Sequence, residues 1–149
     1  LCWCLMPNHF HIIINTKEAA CKDRPTFGGK PMQELSYRLG VLLSSYSQAI
    51  NKQNKTTGSL FQQKTKWKNL SAGKDYLVEC MHYIHQNPVR ALLVNKLEDW
   101  RYSSFLDYSG LRQGTLCNKS LLMELTGYNL EKFYRDSYGY IDSNSKQQY

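Results

Sequence analysis

The chain has 149 residues, enough for one domain with a real core, and its 42% hydrophobic and 13% aromatic content suits a folded protein. A net charge of +7 and a pI near 9.2 favour an anionic partner such as nucleic acid. No apolar run approaches the ~20 residues of a membrane helix, and five scattered cysteines without CxxC spacing point to a reducing, cytoplasmic setting rather than a disulfide scaffold.

The run Leu1 to Met6 is strand-like, Pro7-Asn8 is turn chemistry, and His9-Phe10-His11-Ile12-Ile13-Ile14 reads as a second strand. Side chains alternate across a strand, so His9, His11 and Ile13 share one face while Phe10, Ile12 and Ile14 share the other. The expectation is a hairpin presenting two imidazoles side by side, close enough to hold one metal ion. Two histidines on a solvated strand face would give the same pattern. Cys2 and Cys4 admit a zinc site with them, against the commoner role of a cysteine as a small core residue.

Thr16 to Pro31 reads as loop. From Met32, Leu35, Leu39, Leu42, Leu43, Tyr46 and Ile50 recur at helical spacing and predict a helix packed across the sheet, ending in the polar run Asn51 to Gly58. Ser59 to Leu70 is expected to be a strand with Lys64, Lys66 and Lys68 on one face. Those ammonium groups would repeat every ~6.6 Å, near the phosphate spacing of single-stranded nucleic acid. An edge strand blunted by lysines is the competing explanation. Trp67, on the opposite face, is expected in the core, with base stacking as the alternative.

The stretch from Gly73 to Asn87 predicts a second helix with Leu77, Cys80, Met81 and Ile84 on its apolar face, kinked or ended by Pro88. Glu79, Tyr83 and Asn87 follow one another at one-turn intervals on a single face. Leu121 to Tyr134 suggests one or two short helices.

Three stretches together resemble the HUH single-tyrosine transposases, specifically the REP-associated tyrosine transposases of insertion-sequence type. They are Leu5-Met6-Pro7-Asn8-His9-Phe10-His11, Gly58-Ser59-Leu60-Phe61-Gln62, and Tyr83-Ile84-His85-Gln86-Asn87-Pro88-Val89-Arg90-Ala91 with the trailing Trp100-Arg101-Tyr102-Ser103-Ser104. The resemblance spans about 100 residues; beyond about residue 110 no motif matches. It implies an α+β fold, a ferredoxin-like α/β sandwich with an antiparallel sheet and helices on one face. Residues 1–110 would form the catalytic domain and 111–149 a helical C-terminal tail. Such domains open with a strand and helix that would lie upstream of Leu1.

The resemblance further implies that Tyr83 is the nucleophile and that His9, His11 and Asn87 hold a divalent metal, Mg²⁺ or Mn²⁺. The implied substrate is single-stranded DNA with a hairpin, cut to give a 5′-phosphotyrosine and a free 3′-hydroxyl that later strands can rejoin. Lys64, Lys66, Lys68 and Arg90 are candidates for backbone contact, with Lys30, Arg38 and Arg101 behind them. Glu79 is a candidate auxiliary group, and His85 is expected to be structural or DNA-facing rather than a ligand. A catalytically silent DNA-binding relative and a metal-dependent hydrolase using water are the alternatives; monomer and homodimer both stay open.

Overall fold

The computed structural model describes residues 1–25, 29–62, 65–70 and 73–143, the last four of these by their backbone alone. It is a mixed α and β chain with two small antiparallel sheets. By its contacts the chain divides into one compact unit made of residues 1–14 and 69–149 and another made of residues 15–68.

In the first unit, β1 (Cys2–Leu5) and β2 (Phe10–Ile13) form the expected hairpin, with Cys4 opposite His11 and Cys2 opposite Ile13. Met6 N–H donates to His9 O (2.8 Å) across Pro7-Asn8, closing the turn. Directly opposed residues share a face, so Cys2, Cys4, His11 and Ile13 line one side. That side packs on α3 (Lys74–Arg90), and Cys2, Cys4 and Ile13 are buried while Ile12 and Ile14 on the other side are exposed. The segment after Trp100 adds a stub of a third strand. Leu5 N–H donates to Tyr102 O, Ser104 N–H donates to Trp3 O, and Cys4 bridges Ser103.

The C-terminal residues complete this core rather than trailing from it. Helices α4 (Phe105–Tyr108), α5 (Lys119–Thr126) and α6 (Phe133–Ser143) bring Phe105, Leu122 and Phe133 to full burial. The Phe133 ring stacks on His82 (centroids 5.4 Å apart) and meets Tyr108 (5.3 Å). Aromatic contacts of this kind add to the area they bury.

The helix α3 does not end at Pro88 but runs through it to Arg90. Proline has no N–H for the carbonyl four residues back. That orphaned carbonyl, Ile84 O, instead receives the side-chain amide of Asn87 at 3.5 Å. Leu92 then takes a left-handed conformation (φ 57°), and Leu93 N–H and Leu92 N–H close on Pro88 O and Val89 O, a cap usually made with glycine.

In the second unit, α1 (Glu18–Cys21) and the pair β3 (Asp23–Arg24) with β4 (Met32–Gln33) occupy the stretch expected to be loop. α2 (Glu34–Asn54) packs on α1 and β4, and Arg24 bridges to Glu34 while lying over the Tyr37 ring (3.7 Å). The expected strand over 59–70 does not form: residues 59–62 and 65–70 have no regular structure. A strand needs a partner to take its backbone hydrogen bonds, and no strand of the described residues pairs with this stretch. Trp67, expected in the core, is 82% exposed.

Candidate functional site

The alternation of β2 and the face of α3 bring three sequence-predicted residues together. The His9 and His11 rings lie 4.9 Å apart, nearly perpendicular, and the Tyr83 ring lies 6.2 Å from that of His11. Tyr83 is on the sheet side that carries the histidines, as the single-site reading requires. His9, at the hairpin turn, is exposed, whereas His11 is half-buried over α3. Burial, with the neighbouring His9 adding to it, holds the His11 imidazole below its usual pKa and so favours its neutral form.

Asn8 Oδ1 lies 2.6 Å from His9 Nδ1. A carboxamide oxygen only accepts, so Nδ1 carries the proton and the lone pair sits on Nε2. Metal-binding histidines are commonly held this way through their second nitrogen. Asn87 follows Tyr83 by one turn, and because its nitrogen is spent on Ile84 O, its oxygen is the atom left to act as a ligand. Among the described residues no three His, Cys, Asp or Glu side chains cluster to hold a metal. A three-ligand site at His9 and His11 would need its third ligand from a group of another kind, such as an amide. The Cys4 thiol is pushed up to about 11 by burial, which opposes the thiolate that zinc would need.

Arg90 lies two turns after Tyr83, its guanidinium carbon 5.7 Å from the tyrosine ring centroid. Glu79 is exposed one turn before Tyr83. Lys66 and Lys68 are exposed on an irregular segment of the second unit rather than on a strand. Lys64 lies outside the described residues.

The core-facing side of α3 holds His85 together with His82 and Gln86, whose roles the sequence did not reveal. His82, His85 and Gln86 are all buried. Ser137 Oγ donates to Phe133 O (2.8 Å) and so accepts from His82 Nδ1 (2.9 Å), while Gln86 Nε2 donates to Ser137 O (2.6 Å). Ser104 Oγ donates to Trp3 O (3.1 Å) and accepts from Trp3 N–H (2.9 Å), which leaves it accepting from His85 Nε2 (2.8 Å). One hydroxyl therefore ties the hairpin to the helix two residues past Tyr83. The trailing Trp-x-Tyr-Ser-Ser run was the signal for it; Trp100 Nε1 likewise donates to Leu5 O (3.0 Å). Burial pushes His82 down to about 4 and His85 down to about 3, so both are neutral at physiological pH. The structural role expected of His85 fits this placement.

No family model, curated protein or solved structure matches the chain. No helix of the described residues is long and apolar enough to cross a membrane.

Proposed function

We propose that this chain is an HUH single-tyrosine transposase of the REP-associated type, built on a ferredoxin-like α+β plan, that cuts and rejoins single-stranded DNA carrying a hairpin. The observation that carries the reading is the 6.2 Å approach of the Tyr83 ring to His11, itself 4.9 Å from His9. Two of the three stretches of the resemblance, the first and the third with its trailing segment, supply these residues. The hairpin supplies the imidazoles, α3 supplies the phenol, and the segment from Trp100 to Ser104 fastens one to the other.

Tyr83 Oη attacks the scissile phosphorus. The new bond is tyrosine oxygen to phosphorus and the bond broken is phosphorus to O3′, so the strand on the 3′ side of the cut stays on Tyr83 through its 5′-phosphate. The proton lost from Oη is matched by one gained at the released 3′-hydroxyl. A later 3′-hydroxyl reverses the exchange and joins strands without a nucleotide cofactor. A divalent Mg²⁺ or Mn²⁺ ion on His9, His11 and Asn87, when bound, supplies charge neutralisation at the phosphate and fixes its orientation. Arg90, Lys66 and Lys68 offer cations to the DNA backbone, which secures affinity rather than sequence choice. Glu79 is retained as an auxiliary group for proton transfer.

The test is incubation with Mn²⁺ and labelled hairpin-bearing single-stranded DNA, followed by a denaturing gel. A slow-migrating, protease-sensitive adduct is expected from the wild type and none from Tyr83→Phe, with metal binding retained. Undiminished cleavage by Tyr83→Phe would instead identify a hydrolase that uses water.

A further inference from the structure

We propose that Arg90 is the receptor for a non-bridging oxygen of the phosphate carried by Tyr83, held ready for it by the buried carboxamide of Gln86. The proposal rests on the tyrosine reading above and deepens it, giving one side chain a role at the reacting phosphate rather than along the DNA backbone at large.

Gln86 is 1% exposed and both ends of its amide are engaged. Nε2 donates to Ser137 O (2.6 Å), and Oε1 accepts from Arg90 Nε (3.3 Å). Rotating the amide end for end would set oxygen against a carbonyl and NH₂ against a guanidinium, so its orientation is fixed. The guanidinium is thereby anchored through Nε, with its carbon 5.7 Å from the Tyr83 ring centroid.

What it lacks is an acceptor for its other edge. Arg90 Nη2 is shut from water and has no hydrogen-bond partner, and no carboxylate pairs with Arg90 among the described residues. Arginine cannot relieve this by losing its proton, and although Arg90 is only half-buried as a whole, a buried donor left without an acceptor costs free energy. An oxyanion delivered at Tyr83 answers the deficit. Stacking on the tyrosine ring alone explains neither the clamp at Nε nor the unmet Nη2. A guanidinium suits the anion in question, since its planar fork matches two phosphate oxygens. Charge on those oxygens is what phosphoryl transfer asks the protein to stabilise.

The first arm of the test needs no chemistry. Inorganic phosphate is titrated into the full chain at constant ionic strength while the Arg90 Nε–H resonance, assigned by its loss in Arg90→Lys, is followed by NMR. A saturable shift is expected, retained in Tyr83→Phe and weakened about tenfold in Gln86→Met, whose side chain keeps the volume but loses both hydrogen bonds. An Arg90 resonance that moves no more with phosphate than with chloride overturns the proposal.

The second arm uses the adduct assay with the scissile phosphate either native or replaced by a methylphosphonate, which removes one charged oxygen. Arg90→Lys and Arg90→Ala should slow adduct formation on native DNA, the latter by ~10²–10³-fold, and the penalty should vanish on the methylphosphonate. An equal penalty on both substrates, or none on either, sinks the assignment. If phosphate binds at Arg90 but the wild type forms no adduct, the anion site stands and the transposase reading falls.

Discussion

Lowering the pH should destabilise this chain well before its carboxylates protonate. The structure buries His82 and His85 completely in the first unit, and burial holds them at about 4 and about 3 against 6.5 when exposed. Asp136 pulls the His82 value back up without overcoming the burial. A group whose folded pKa is depressed contributes its full stability above the unfolded pKa. The contribution is then lost as pH falls from about 6.5 towards the folded values, because the unfolded chain takes the proton first. For His82, with 6.5 unfolded and about 4 folded, the loss between about pH 7.5 and about pH 5 comes to about 2 kcal/mol. His85 adds about the same over that interval, since about pH 5 lies well above its folded value. Some 4 kcal/mol is a large share of the ~5–15 kcal/mol that holds a typical domain together.

Urea unfolding followed by circular dichroism measures this directly. The midpoint should fall steeply between the two pH values while the slope m stays constant, and His82→Gln, which cannot titrate there, should show about half the dependence. A stability equal at both pH values within about 1 kcal/mol would refute the reasoning. So would NMR titrations placing both imidazoles near 6.5 in the folded chain.

Other perturbations probe the fold and the site separately. Ser104→Ala strands the N–H of Trp3 and the ring of His85, a loss of about 2–4 kcal/mol in urea unfolding. Leu92→Gly should raise stability by about 1 kcal/mol in the same assay, because Leu92 is 91% exposed and sits at φ 57° where a side chain only adds strain. A methyl group on Gly114 would collide with the Asp107 carboxylate, which Arg112 grips at 2.6 and 2.7 Å. Gly114→Ala should therefore cost about 1–3 kcal/mol and lower the melting temperature. Tyr83→Phe should leave the melting temperature within a degree or two while abolishing the covalent adduct.

The hairpin and the face of α3 that carries Tyr83 were legible because each obeys a single short period. Alternation placed His9 and His11 together, and one-turn spacing aligned Tyr83 with Asn87. What misled was pattern without a partner: Lys64 to Lys68 alternates as a strand should, yet no described strand pairs with it, and Trp67 ends up in solvent. Pro88 misled in the other direction. The rule that proline stops a helix is a statement about one missing hydrogen bond, and the neighbouring Asn87 amide supplies a substitute. One or two short C-terminal helices were legible from Leu121 to Tyr134, but what they hold was not, because their anchors are serines and aromatics. Ser137 and Phe133 look unremarkable until His82 and Gln86 turn out to be what they hold.

That arrangement makes α3 a lever with two sides. Tyr83, Asn87 and Arg90 recur along one stripe, while His82, His85 and Gln86 turn into the core beside it, Gln86 close enough to meet Arg90. Each of these three polar residues is tied to an element distant in sequence: His82 and Gln86 to Ser137, His85 to Ser104 and through it to Trp3. A helix fixed by apolar packing alone can slide or roll by a fraction of an ångström at little cost, whereas buried hydrogen bonds tolerate few alternative positions. In-line attack on phosphorus demands that kind of intolerance, since misplacement by about an ångström is worth orders of magnitude in rate. The polar residues in this core therefore make sense as a jig for the tyrosine. Replacing them with well-packed apolar residues should preserve the fold more readily than the alignment of Tyr83 with His11.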